Sequence, residues 1–370
     1  MAKTSFVPNP AKIKVLGLGG GGCNAITRMV QEEIQGVDFI GINTDAQALL
    51  LTEAPTRIQI GEKMTRGLGV GGDHMMGHKA AEQSRDELRE CISDSDMVFL
   101  TIGMGGGTGT GAAPVVAELA KQAGALTIAV VTKPFSFEGM HRCQVAEEGI
   151  ERLIDKVDTL IVIPNDRLLT LCDNKTAVNS AFQIADDVLR HGVQAIAEVI
   201  TVPGVINLDF ADVKAVMKDA GPAWMSLGTG TGQNRAVDAA KQALASPLLD
   251  VSLEGSKGVL FNVVGGSSLT LFEVNEAADI IAKAVDPEAN IIFGVVFDPR
   301  LENEIKLTLI ATGFTSASGK AIRKDEELRR LLHALENDEY ELDVPTFLRR
   351  PQARRQAAEV PAIKHHSLRF

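Results

Sequence analysis

Short apolar runs alternate with amphipathic stretches along the first half of the chain. Residues 13–18, 38–42, 97–102, 126–131 and 159–163 are brief and largely apolar, the pattern of strands buried on both faces. Residues 24–31, 80–91, 112–123 and 142–154 repeat their apolar positions at helical spacing. Strand and helix in alternation predict a mostly parallel, Rossmann-like sheet covered by helices, and in such sheets ligands bind beyond the carboxyl ends of the strands.

From residue 176 to 200 the helical period runs on with glycine only at Gly192, until Pro203-Gly204 stops it. This predicts one long central helix, a spine between two halves. Beyond it the pattern predicts strands at 205–210, 258–264, 290–297 and 304–311 and helices at 212–218, 235–245 and 270–285, a second, smaller α/β domain with antiparallel pairing. The expected division is a disordered N-terminus (1–11), a nucleotide-binding domain (12–175), the central helix (176–203), a second domain (204–316), a short charged linker (317–341) and a tail (342–370).

Composition narrows the classes. The chain has 370 residues, 45% of them hydrophobic, enough to bury a large core. A net charge of −11 argues against nucleic acid as the main partner. The charge is uneven, since residues 349–370 carry six Lys/Arg against one Glu and residues 1–316 a net −13. Cys23, Cys91, Cys143 and Cys172 lie far apart with no Cys-x-x-Cys pair, which disfavours a disulfide framework or a zinc site and fits a reducing cytoplasm. No apolar run reaches the ~18 residues of a membrane span.

The chemistry concentrates in glycine. Residues 103–111 read Gly-Met-Gly-Gly-Gly-Thr-Gly-Thr-Gly between an expected strand and an expected helix. Such a turn lets several backbone N–H groups converge on a phosphate at the positive end of a helix. No Gly-Lys-Ser/Thr follows, so this is not a Walker loop. The first strand runs into Gly17-x-Gly19-x-x-Gly22, a dinucleotide fingerprint, and Asp45 follows the second strand where such folds place a ribose-binding carboxylate. An NAD-dependent oxidoreductase is therefore one reading. A third glycine turn at 67–72 favours a triphosphate instead, because three phosphate loops at one sheet edge exceed what a dinucleotide needs.

The motif Gly105-Gly-Gly-Thr-Gly-Thr-Gly111, taken with Asn207-Leu-Asp-Phe-Ala-Asp212, resembles the FtsZ family, the tubulin-like cell-division GTPases of bacteria. The likeness runs from about residue 12 to 314 and resumes at 343–350. It implies a tubulin-like fold and phosphate loops at Gly19, Gly20, Gly21, Gly22, Cys23 and Asn24, at 69–73 with Gly71 and Gly72, and at Gly103, Met104, Gly105, Gly106, Gly107, Thr108, Gly109, Thr110 and Gly111. It also implies nucleotide contacts from Pro134, Glu138, Arg142 and Asn165, with Phe182, Asp186 and Asn43 at the base. Phe182 and Asp186 are four residues apart and so share a helix face. An aromatic ring there can stack on a purine, while a carboxylate accepts the paired N–H donors that guanine has and adenine lacks.

The resemblance further implies GTP and GDP as ligands, with Mg²⁺ and K⁺. Asn207, Asp209 and Asp212 would be catalytic, inserted into the nucleotide site of the next subunit of a head-to-tail filament that forms the mid-cell division ring. From the residues alone, Asp212 also reads as a helix N-cap. Asp343, Val344, Pro345, Phe347 and Leu348 match the family's tail peptide for membrane-tethering and regulatory partners, reached here through an unusually short linker. Asp73-His74 departs from the Asn-Pro pair common in the family. Gly228-Thr-Gly-Thr-Gly232 reads as a structural turn, and His74 and His78 as loop residues rather than metal ligands.

Overall fold

The computed structural model describes residues 11–171, 177–202, 209–246, 248, 253 and 255–314. The chain opens with β1 (Ile13–Leu18), α1 (Gly19–Gln31), β2 (Val37–Asn43), α2 (Ala46–Leu51), β3 (Thr56–Gln59), α3 (Glu62–Thr65), α4 (His74–Gln83) and α5 (Arg85–Ile92). It continues through β4 (Met97–Gly103), α6 (Thr108–Gln122), β5 (Leu126–Lys133), α7 (Met140–Leu153), β6 (Thr159–Pro164), α8 (Asn165–Leu168) and the long α9 (Val178–Thr201). Then come α10 (Phe210–Met217), β7 (Gly221–Thr231), α11 (Arg235–Leu244), β8 (Gly258–Gly265), α12 (Leu271–Ala282), β9 (Asn290–Phe297) and β10 (Glu304–Thr312).

The strands form one ten-stranded sheet in the order β3-β2-β1-β4-β5-β6-β7-β10-β8-β9. The first six are parallel and follow the order of a doubly wound sheet, whose direction of winding reverses between β1 and β4. Three residue pairs, Thr159 to Ile161 against Gly221 to Ala223, join β7 to β6 in parallel. β10 is antiparallel to both β7 and β8, as expected, whereas β8 and β9 are parallel. All the described residues belong to one compact unit.

Strand alternation sorts the apolar side chains onto two faces. Ile13 and Val15 join the core beneath α1 and α9, and Leu16 and Leu18 the core beneath α4 and α6. A third core, around Ala239, Phe261, Ile281 and Leu307, holds β8 and β10 against α11 and α12. Helix α9 has 24 residues, a length of about 36 Å, and buries Leu189, Val193 and Ile196 along one stripe. It runs against the parallel strands. Phe182 near its start packs edge-on to Phe135 just past β5, and the Thr201 hydroxyl at its end donates to the Gln35 carbonyl just before β2 at 3.1 Å.

Several boundaries differ from the sequence pattern for physical reasons. Helices α1 and α6 begin at Gly19 and Thr108, four or five residues earlier than hydrophobic periodicity places them. The glycines there are the first helical turn rather than a turn ahead of it. The helix predicted at 80–91 is two helices separated at Ser84, and the first starts at His74, so His74 and His78 are helical rather than loop residues. Gly228 to Thr231 belong to β7 and not to a turn. A Cβ on Gly228 would lie 2.6 Å from the Ala243 nitrogen and one on Gly230 2.7 Å from the Arg235 carbonyl carbon, so α11 sits directly on that strand. Of the strand predicted at 205–210, residues 205–208 lie outside the described residues, while Asp209 caps α10 and Phe210 opens it.

Candidate nucleotide site

The crevice predicted by the sheet order lies beyond β1 and β4, and two glycine-opened helices start there. The loops touch backbone to backbone: a Cβ on Gly19 would stand 2.8 Å from the Gly109 nitrogen, and one on Gly109 2.8 Å from the Leu18 oxygen. The third loop joins them, since the Gly107 N–H donates to the Gly71 carbonyl at 3.1 Å. Threonines fix the assembly. The Thr44 and Thr108 hydroxyls are 2.7 Å apart in a buried contact, and the Gly105 N–H donates to the Thr110 hydroxyl at 3.0 Å. Gly105, at φ +93°, turns the chain between β4 and α6. Thr44 carried no motif, and only its place directly after β2 could have signalled it.

One face of this assembly is open. A Cβ on Gly20, Gly71, Gly72 or Gly106 would meet nothing within 4 Å, and these residues come from all three loops. Unobstructed backbone beside two helix N-termini, whose first N–H groups lack helical partners, suits a chain of phosphates. Near the ends of β5 and β6, Asn165 is buried with its Oδ1 unpartnered, an acceptor that a ligand hydroxyl or amine would satisfy. No group of His, Cys, Asp or Glu among the described residues is arranged to hold a metal ion. A Mg²⁺ ion here would rest mainly on phosphate oxygens and water, which is its usual habit.

The side expected from the sequence to hold base and ribose is built on β5, α7 and α9. A Cβ on Gly105 would lie 3.3 Å from Pro134 and 2.7 Å from the Arg142 carbonyl, so the glycine run and the 133–142 segment adjoin. Glu138 accepts from the Phe135 N–H at 2.9 Å, and Arg142 reaches Glu138 at 2.7 Å. Arg142 is 52% exposed, leaving its remaining donors toward solvent. Phe182 stands 5.4 Å from Phe135, ring edge to face, and is 39% exposed. Asp186, one turn further along α9, is 18% exposed. Burial pushes its carboxyl up to about 6, against the pull of Arg28, which lies 3.4 Å away.

Other residues take structural parts. Asn43 is buried and its Oδ1 accepts from the Thr44 N–H at 2.9 Å, shaping the turn after β2. Asp45 caps α2, accepting from Gln47 and Ala48, which engages the carboxylate that the oxidoreductase reading needs for ribose. Asp73 caps α4 at 2.9 Å from the Met76 N–H. Cys23 is buried with Sγ 3.6 Å from the Gly17 carbonyl, and burial pushes the thiol up to about 11. Asn24 stands exposed in α1.

The acidic residues are elsewhere. Asp209 caps α10, accepting from the Ala211 N–H at 3.5 Å, and Asp212 lies in that helix's first turn rather than at its cap. Both follow the far end of α9, while Phe182 and Asp186 lie near its beginning. Asn207 and the tail residues Asp343, Val344, Pro345, Phe347 and Leu348 fall outside the described residues.

A doubly wound sheet with three glycine loops at its switch point and a spine helix bearing an aromatic ring and a carboxylate defines a tubulin-like GTPase. The family model "Tubulin/FtsZ family, GTPase domain" matches residues 12–173, and "FtsZ family, C-terminal domain" matches residues 221–315. The chain belongs to the FtsZ family. It is 49% identical to FtsZ of M. jannaschii, solved as an empty dimer, with a TM-score of 0.81 over 83% of this chain and 90% of that one. CetZ1 of Haloferax volcanii, a GDP-bound monomer, shares 20% identity at TM-score 0.71, covering 82% of this chain and 94% of its own. CetZ2 of the same organism, a GTPγS-bound protofilament, shares 17% at 0.69, covering 86% and 99%. Those two likenesses concern the fold. The protein is thus a GTPase that binds GTP and GDP.

Proposed function

We propose that this GTPase assembles head to tail into filaments, and that GTP bound at the glycine cradle of one subunit is hydrolysed with Asn207, Asp209 and Asp212 of the next. The observation that supports this reading is the position of these residues along α9. Phe182 and Asp186 lie within its first nine residues, and Asp209 and Asp212 follow its end, in a helix of 24 residues or about 36 Å long. Carboxylates so far from the phosphates cannot position a water on them in the same molecule. A heterologous contact brings the end of one copy onto the cradle of another, and such a contact does not close on itself.

Exposed apolar side chains support the same geometry. Leu50, Leu51, Leu68, Phe137 and Met140 stand exposed in segments that follow the carboxyl ends of β2, β3 and β5. Leu271, Phe272 and Phe297 are exposed beside the carboxyl ends of β8 and β9. That second edge lies toward the end of α9, since Asp298 and Arg300, directly after β9, act electrostatically on Glu198. Apolar surface at both ends of a body is what a repeating longitudinal contact would cover.

In this reading Mg²⁺ accompanies the triphosphate and K⁺ supports turnover at the contact. The tail peptide 343–348 recruits membrane-tethering and regulatory proteins to the division ring. The test is phosphate release measured against protein concentration with GTP, Mg²⁺ and K⁺, alongside sedimentation. Activity per monomer rises as polymer forms, and Asp212→Ala lowers it by about 10²–10⁴-fold while GTP binding persists. A rate per monomer that stays flat across the assembly range contradicts the shared site.

A further inference from the structure

The base carboxylate has a basic neighbour with no part in the motifs. Arg28 lies on α1, about one turn beyond Asn24 at the end of the phosphate loop, and its Nε is 3.4 Å from Asp186 Oδ2. A second guanidinium nitrogen is 3.8 Å from Asp187. Arg28 is 27% exposed and Asp186 18%, so the pair is partly withdrawn from water. The charged groups acting on Asp186 are Arg28 across the helix interface and Asp187 beside it on α9. Asp187 in turn is held by Arg190 at 3.5 Å.

Burial and the adjacent Asp187 both favour the protonated form of Asp186, and only Arg28 opposes them. A protonated carboxyl presents a donor where guanine also presents donors, so base recognition needs the ionised form. We propose that Arg28 is a positioning residue for the base, holding Asp186 as the ionised acceptor that guanine requires. This rests on Asp186 being the base contact. A carboxylate has enough acceptor sites to keep Arg28 while it receives two N–H groups from the base.

The sign follows directly. Asp186 titrates near 6 in the nucleotide-free protein, so affinity for GDP is full above that pH and falls as pH drops through it. Removing an opposite charge at this distance raises a carboxyl by about one unit. The acid limb of GDP binding then moves up by about one pH unit in Arg28→Met, costing about fivefold in affinity near pH 6 and under twofold near pH 8. Arg28→Lys keeps a charge in place and restores most of the limb's position.

The experiment is calorimetric titration of GDP into the full chain from pH 5.5 to 8 for wild type, Arg28→Met, Arg28→Lys and Asp186→Asn, with unfolding midpoints checked for each. An acid limb that does not move in Arg28→Met overturns the proposal. So does a loss of affinity that is uniform across pH, since it marks a merely structural contact. Asp186→Asn should lose GDP affinity and gain affinity for xanthosine diphosphate, whose carbonyl replaces the exocyclic amine and matches an amide donor. If Asp186→Asn instead binds GDP unchanged, the base assignment fails and the proposal with it.

Discussion

Two alanine substitutions five residues apart in sequence, at Gly106 and Gly111, separate packing from ligand contact in the glycine run. Helices α4 and α6 cross at Gly77 and Gly111 with almost no side chain between them. A Cβ on Gly111 would stand 2.6 Å from the His78 nitrogen and 2.9 Å from the Gly77 carbonyl carbon, and closer still to the His74 carbonyl oxygen. All three atoms are backbone, so α4 must retreat as a unit. Overpacking costs about 1–3 kcal/mol, and a rigid neighbour places this site near the top of that range. Replacing glycine by alanine in a helix returns about 1 kcal/mol, leaving a net loss of about 2 kcal/mol. For a body of this size that lowers the unfolding midpoint by about 3 °C. Gly106→Ala places its methyl in open space and should hold the midpoint within about 1 °C, while GDP affinity falls about tenfold or more because the methyl occupies phosphate space. Scanning calorimetry without nucleotide and GDP titration read the two effects separately. A Gly111→Ala midpoint equal to wild type refutes the crossing argument, and a Gly106→Ala variant that binds GDP normally refutes the cradle.

Two further outcomes follow from other parts of the molecule. Arg235 is buried between α11, β10 and the start of α12, donating to Glu273 at 2.7 Å and to the carbonyls of Ser268 and Glu302 at 3.0 and 3.2 Å; Arg235→Ala strands Glu273 and should cost about 3–5 kcal/mol, read as a lowered urea midpoint, and a shift under a third of that would show that water replaces the pair. A chain ending at residue 341 should keep its GTPase rate per monomer while losing pull-down of a membrane-tethering partner; retained pull-down would place the docking peptide elsewhere.

The sheet and spine were legible because their signals are strong and local. Five of the first six strands are brief apolar runs, and α9 carries an unbroken helical period, so hydrophobic spacing located them within two or three residues. β7 was missed because Gly228 and Gly230 replace the β-branched residues of an ordinary strand, and they do so to admit α11. That cause is tertiary and leaves no periodic trace. The starts of α1 and α6 were misplaced for a related reason. Glycine disfavours helix interiors, but in the first turn its N–H groups are unpaired by helical geometry and stay available to a ligand. Arg28 went unnoticed since a lone arginine in a helix carries no motif, and only the crossing of α1 and α9 brings it to Asp186.

The same glycine run therefore serves two physical demands. Gly107, Gly109 and Gly111 are small because backbone from other loops and from α4 presses against them, whereas Gly106 is small although nothing presses against it. Selection for packing explains the first group without any ligand. It does not explain the second, nor Gly20 and Gly72, which stand open in the same way on separate loops. Open glycines gathered from three distant stretches of sequence onto one crevice need an occupant, and paired with helix N-termini that occupant is anionic. The acidic side chains described around the crevice are already engaged, Asp45 and Asp73 as helix caps and Glu138 by Arg142, while Asp209 and Asp212 follow the opposite end of α9. On the head-to-tail proposal, a lone subunit of this shape binds nucleotide without efficient turnover, and assembly is the step that would supply the carboxylates.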